Sequence, residues 1–126
     1  ATKPETAPPP PDDQALNKLR ERYKKEKGLD EIGEFSEGRA RVRIGEQWWH
    51  IKADGTKLSD ERYDEVGSFF EGRSWVRIGR QVWFITEDGT NLSDERYDEV
   101  GSFFRGRARV RIGRQEWYID LNGNRI

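Results

Sequence analysis

The sequence predicts an all-β protein: three 34-residue β-hairpin repeats in a solenoid-like or partial propeller-like array, behind an N-terminal α-helix and a proline-rich tail. Three observations carry that reading. Near-identical segments return at one fixed spacing, each contains a strictly alternating apolar stretch, and each alternating stretch ends at a glycine-led turn. From residue 29, LDEIGEFSEGRARVRIGEQWWHIKADGTKLSDER is followed by YDEVGSFFEGRSWVRIGRQVWFITEDGTNLSDER and then YDEVGSFFRGRARVRIGRQEWYIDLNGNRI. Gly33, Gly67 and Gly101 are in register, as are Phe35, Phe69 and Phe103, Val42, Val76 and Val110, and Trp49, Trp83 and Trp117. The organisation expected is a tail over 1–11, a helix within 12–28 and the repeats over 29–126.

The tail, ATKPETAPPPP, is rich in prolines that lack a backbone N–H, which favours an extended, polyproline-like linker. Asp12 and Asp13 supply N-cap chemistry; Ala15, Leu16, Leu19 and Tyr23 follow at helical spacing, and Gly28 stops the run. The spacing predicts one helix over 13–27 that covers the open end of the array. Lys24, Lys25 and Lys27 fall where the helix dipole favours cations.

Within a repeat, Arg39 to Ile44 alternates polar and apolar, so Ala40, Val42 and Ile44 are expected inward. Gly45-Glu46, Gly79-Arg80 and Gly113-Arg114 put glycine first in a two-residue connection, which suits a type II′ turn. A second strand over 47–52 then places Trp49 and Ile51 on the core face. Asp54-Gly55, Asp88-Gly89 and Asn122-Gly123 form a further turn into a short third strand around Leu58, Leu92 and Ile126. The SDERYDEVG segment fits either a helical turn or an edge strand and is taken as an irregular link, with Tyr63, Val66, Tyr97 and Val100 packing under the hairpins. One hairpin buries too little to order itself, so each must lean on a neighbour.

Composition narrows the function classes. The chain is 33% hydrophobic and 37% charged, with five Trp, six Phe and four Tyr to supply compact burial. Lys plus Arg number 23 against 24 Asp plus Glu, so no overall field draws it to nucleic acid or an anionic membrane. No run approaches the ~20 apolar residues that span a bilayer, so no membrane insertion is expected. The absence of cysteine removes disulfides and thiolate chemistry. The absence of methionine and the opening at Ala1 suggest a processed mature protein or an excerpt of a longer one.

Side chains alternating away from the core form a basic and aromatic face. Arg41, Arg43, Trp48, His50, Trp75, Arg77, Phe84, Arg109, Arg111 and Tyr118 are the candidate binding residues, a mixture able to stack on rings and clamp anions. The acidic row Asp60, Glu61, Asp64, Glu65, Asp94, Glu95, Asp98 and Glu99 offers to neutralise those arginines between repeats. His50 shares its position with Phe84 and Tyr118, which favours an aromatic surface role over catalysis or metal binding. Asp120 to Asn124 reads as a turn, and the DERYDE carboxylates lack opposed environments. No enzyme, cofactor or metal is expected.

The order F-x-E-G-x-A-x-V, then Gly45, Trp49, Ile51 and Gly55, then Y-D-x-V, resembles the bacterial WG-repeat (KWG-repeat) family over residues 29–126. Phe35, Glu37, Gly38, Ala40, Val42, Tyr63, Asp64 and Val66 occupy the remaining motif positions of the first copy. Two features depart from it: His50, Phe84 and Tyr118 stand where the family has glycine after tryptophan, and serine and acidic residues replace the prolines before Tyr-Asp. The resemblance implies an interaction repeat of an exported bacterial protein, periplasmic or extracellular. The function expected is a non-enzymatic protein-interaction or assembly component with a protein partner or self-association; the alternative is a glycan or polyanion binder using the arginine and aromatic face.

Overall fold

The computed structural model describes residues 12–126, and the proline-rich tail expected over 1–11 lies outside the described residues. The chain opens with α1 (Asp13–Asn17) and α2 (Arg20–Lys27). The single helix expected over 13–27 is thus two. Lys18 and Leu19 form a tightened turn with bonds from Lys18 N–H to Ala15 O (3.2 Å) and from Leu19 N–H to Leu16 O (2.9 Å), which re-aims the chain. Both caps follow the sequence: the Asp12 carboxylate accepts from Ala15 N–H, and Gly28 closes α2 in the left-handed region.

Each repeat folds into one three-stranded antiparallel sheet, in the orders β1-β2-β3, β4-β5-β6 and β7-β8-β9. The strands are β1 (Glu31–Ile32), β2 (Arg39–Ile44), β3 (Gln47–Lys52), β4 (Glu65–Val66), β5 (Ser74–Ile78), β6 (Gln81–Ile85), β7 (Glu99–Val100), β8 (Arg107–Ile112) and β9 (Gln115–Asp120). Gly45, with φ near +60°, leads a two-residue hairpin that sets Arg41 opposite His50 and Val42 opposite Trp49. The third strand is not the one expected. Leu58, Leu92 and Ile126 make single hydrogen bonds to His50, Phe84 and Tyr118, beside one-residue bridges, while β4 and β7 come from the acidic link that the sequence left irregular.

A second two-residue turn precedes β2. Ser36 and Arg39 exchange backbone bonds around Glu37 and Gly38, both with positive φ, and the same pair recurs as Glu71-Gly72 and Arg105-Gly106. Two successive left-handed residues make this a type I′ turn, a conformation that glycine and asparagine adopt far more readily than glutamate or arginine.

Ala40 and Val42 are fully buried, as are Val76, Ala108 and Val110. Ile44, Ile78 and Ile112 depart from the expected inward alternation and stand 43%, 46% and 40% exposed, because they end the strand at the turn, beyond the side chains that cover its middle. The helices cover the first core of Ile32, Phe35, Ala40, Val42 and Ile51 with Leu16, Leu19 and Tyr23. Trp48 and Leu58 of the first repeat pack against the second core, around Val66, Phe69 and Val76; Trp75, Phe84 and Leu92 of the second pack against the third. The repeats therefore stack face to face, in solenoid-like order, and the helix pair occupies the position a preceding repeat would take.

Phe69 has no exposed surface and lies at the centre of the second core, whereas Phe104 is 68% exposed. Phe69→Ala is expected to cost about 3–5 kcal/mol in urea unfolding, and Phe104→Ala less than about 0.5 kcal/mol.

Candidate functional site

The residues that join one repeat to the next form a recurring site. At the first junction the Glu37 carboxylate accepts N–H bonds from Glu71 (2.6 Å) and Gly72 (2.7 Å) of the next type I′ turn. Two consecutive left-handed residues aim adjacent N–H groups to one side, which makes a small anion-binding concavity and offsets the strain of glutamate at positive φ. The Arg39 guanidinium donates to the carbonyl of Glu87, and His50 Nε2 lies 2.8 Å from the carbonyl of Gly67. At the second junction Glu71 accepts from Gly106 N–H and Arg73 donates to Leu121 O.

The helix pair reproduces these contacts with other side chains. Asp13 accepts from Glu37 N–H and Gly38 N–H, both at 2.8 Å, as Glu37 does one repeat later. Arg20 donates to Gly33 O, the counterpart of Gly67 O, and Tyr23 Oη donates to Ala53 O, the counterpart of Glu87 O. Asn17 completes the seal by accepting from Phe35 N–H at 2.7 Å.

The two internal junctions differ at their centre. His50 is 2% exposed, packs edge-on against Phe69 with centroids 4.8 Å apart, and sits above the buried hydroxyl of Ser74. Phe84 and Ala108 take those two positions one repeat on, and Phe84 meets Phe103 edge-on at 4.7 Å. A polar pair is thus exchanged for an apolar pair as a unit. Burial, with the Arg39 and Arg41 charges adding to it, lowers the His50 pKa from 6.5 to about 4, so the ring is neutral and donates from Nε2 to Gly67 O.

The ten candidate residues separate into two groups. His50 and Phe84 are buried, which corrects the expected surface role of His50: the face that alternates away from one core is the face that covers the next. Trp48 and Trp75 are partly buried in the same junctions. Arg41 and Arg43 lie over the Trp48 ring, with guanidinium to centroid distances of 5.4 and 5.8 Å. Arg43, Arg77 and Arg111 pair with Glu31, Glu65 and Glu99, at 3.2, 3.2 and 3.1 Å, so acidic links neutralise arginines within a repeat rather than between repeats. Arg109 pairs with Glu99 and Glu116. Tyr118 stands open, 41% exposed, and Arg109 is exposed as well.

The WG containing repeat pattern matches residues 26–48, 53–80 and 84–114. The chain belongs to the WG containing repeat family. No curated protein matched it. The recurring tryptophans of the second long strand are covered by cations from the link that follows each one: Arg62 and Arg96 lie 4.1 Å over Trp49 and Trp83, and Arg125 lies 4.9 Å over Trp117. His50, Phe84 and Tyr118, the residues after these tryptophans, hold one position on the stacking face.

Sequence reasoning missed Asp13, Glu37, Glu71, Arg39 and Arg73 as junction residues. The signal was present in register: Glu37 and Glu71 align with Arg105, an acid-to-base change at one position of otherwise matched turns.

Two predictions concern the junctions. Glu37→Ala leaves the next turn's two N–H groups to water and is expected to destabilise the chain by about 1 kcal/mol in urea unfolding; exposed Glu34→Ala serves as the neutral control. The folded pKa of His50 lies below its unfolded value, so its contribution is complete above pH 6.5 and is lost as pH falls from 6.5 towards 4, where the unfolded imidazole takes up a proton first. His50→Phe with Ser74→Ala copies the second junction, and melting temperatures of the two proteins across that window should diverge as pH falls, the variant retaining more stability.

Proposed function

We propose that this WG-repeat chain is a non-enzymatic protein-interaction or structural assembly module. One observation carries the reading: in the first two repeats the second face of each sheet serves to cover a neighbour, which is contact and not chemistry. The helix pair covers the first repeat through Asp13, Arg20 and Tyr23. The side chains able to do chemistry are spent on stacking, as with the buried His50 ring held against Gly67 O. The glycan or polyanion reading needs free arginines, and the ion pairs of Arg43, Arg77 and Arg111 weigh against it. An exported location, periplasmic or extracellular, belongs to the same proposal and rests on the family resemblance.

Isolation of the intact chain from its native source without denaturant tests this reading. A partner, or further copies, at fixed stoichiometry is the expected result. A chain recovered alone, and monomeric by light scattering across a dilution series, contradicts it.

A further inference from the structure

The turns that follow β3, β6 and β9 match in backbone and differ in chemistry. Gly55, Gly89 and Gly123 take positive φ, at 85°, 86° and 84°, and donate their N–H groups to the carbonyls of Lys52, Thr86 and Asp120, each at 2.9 Å. The residues before these glycines are Asp54, Asp88 and Asn122. Asp54 is tied down inside its turn, accepting from the Thr56 N–H at 3.0 Å and the Thr56 hydroxyl at 2.6 Å. Asp88 accepts from the Thr86 hydroxyl, and from the Thr90 N–H and hydroxyl at 3.1 and 2.7 Å. The threonine hydroxyls hold both carboxyls below the usual carboxylate range and so keep them ionised.

In the third turn the carboxylate has moved two residues upstream. Asp120 accepts from the N–H groups of Asn122 and Asn124, at 2.9 and 3.0 Å, and the Asn122 side chain makes no hydrogen bond among the described residues. Asp54 and Asp88 are exposed although a repeat follows each of them, and both bond only within their own turns. The exposure of the Asn122 amide therefore belongs to the turn and not to its place in the chain. An untethered amide before glycine is an electrophile next to a backbone nitrogen that no Cβ shields. A carboxylate in its place resists attack, because its charge repels the nitrogen and it has no neutral group to lose.

We propose that Asn122 is a site of spontaneous covalent modification, closing with Gly123 to a cyclic imide that water opens to aspartate and isoaspartate. The Gly123 N–H leaves the Asp120 carbonyl, as surface turn bonds do when they open locally. Its nitrogen gives up the proton and bonds to the side-chain carbonyl carbon of Asn122. The bond from that carbon to Nδ2 breaks, and Nδ2 departs as ammonia with a proton in place of the one Gly123 lost. Water then adds to either imide carbonyl and breaks its bond to the Gly123 nitrogen. Nothing is oxidised or reduced, and water is the only co-reactant. Aspartate restores the residue of the two earlier turns. Isoaspartate routes the backbone through the side chain, in a turn where the Asp120 N–H bonds to the Asn124 carbonyl at 2.8 Å. The other asparagines are held or shielded: Asn17 accepts from the Phe35 N–H and Asn91 from the Trp83 indole, while Asn124 precedes Arg125, whose Cβ crowds the following nitrogen. This inference is independent of the interaction role proposed above.

Incubation of the intact folded chain in mildly alkaline oxygen-18 water, followed by peptide mass spectrometry, tests the inference. Asn122 is expected to convert to an acid carrying one oxygen-18, as two separable isomers, at least about tenfold faster than Asn17, Asn91 or Asn124. Asn122→Gln, which would have to close a larger ring, is expected to show no conversion at this position. Conversion at equal rates at the other asparagines, or a single aspartate product without its isomer, overturns the inference. So does an Asn122 that stays intact in the folded chain while the urea-unfolded chain converts, because the turn would then protect the amide instead of exposing it.

Discussion

The first two sheets in this protein each have a second face that is kept from water. A three-stranded sheet whose outer strand is two residues long cannot order itself on its own apolar side. Trp48 and His50 project from the face opposite Val42, and the second repeat packs against them. The stack follows from that requirement. Each repeat uses one face to complete itself and the other to complete its neighbour, so the three cores are linked in series.

Polar contacts give the stack its register. Apolar faces alone tolerate sliding, but a carboxylate directed at two adjacent N–H groups, and a guanidinium directed at one carbonyl, fix position and angle together. Asp13, Glu37 and Glu71 form a ladder of such contacts along one edge, each directed at the next turn. The helix pair works as a cap because Asp13 reaches the same N–H pair that a glutamate reaches elsewhere. Arg105 holds the equivalent position in the third repeat and breaks the series of carboxylates.

Much of the fold was legible because the repeats carry redundant signals. Alternation in Arg39 to Ile44 and glycine at 45, 79 and 113 give the hairpins, and the periodic glycine, phenylalanine, valine and tryptophan give the repeat length. Three features were hidden, each for a physical reason. The Glu37-Gly38 turn escaped because glutamate is a poor left-handed residue, held there by a contact from a distant segment. The strand role of Glu65-Val66 escaped because two residues carry no period. The site was misjudged at His50 and Phe84 because alternation reports which side of a sheet a residue takes, not whether another sheet lies against it. The serial use of both faces appears only when Arg105, Glu116 and Tyr118 are set beside their counterparts in the earlier copies.

Native-state hydrogen exchange at three equivalent amides tests the serial stack most directly. Trp48 and Val82 N–H groups are bonded to Tyr63 and Tyr97 across the junctions, while that of Glu116 is free among the described residues. Strong protection at Trp48 and Val82 with fast exchange at Glu116 is the predicted result. Equal exchange at all three, in the isolated chain, would contradict the claim that each repeat is completed by the one that follows it.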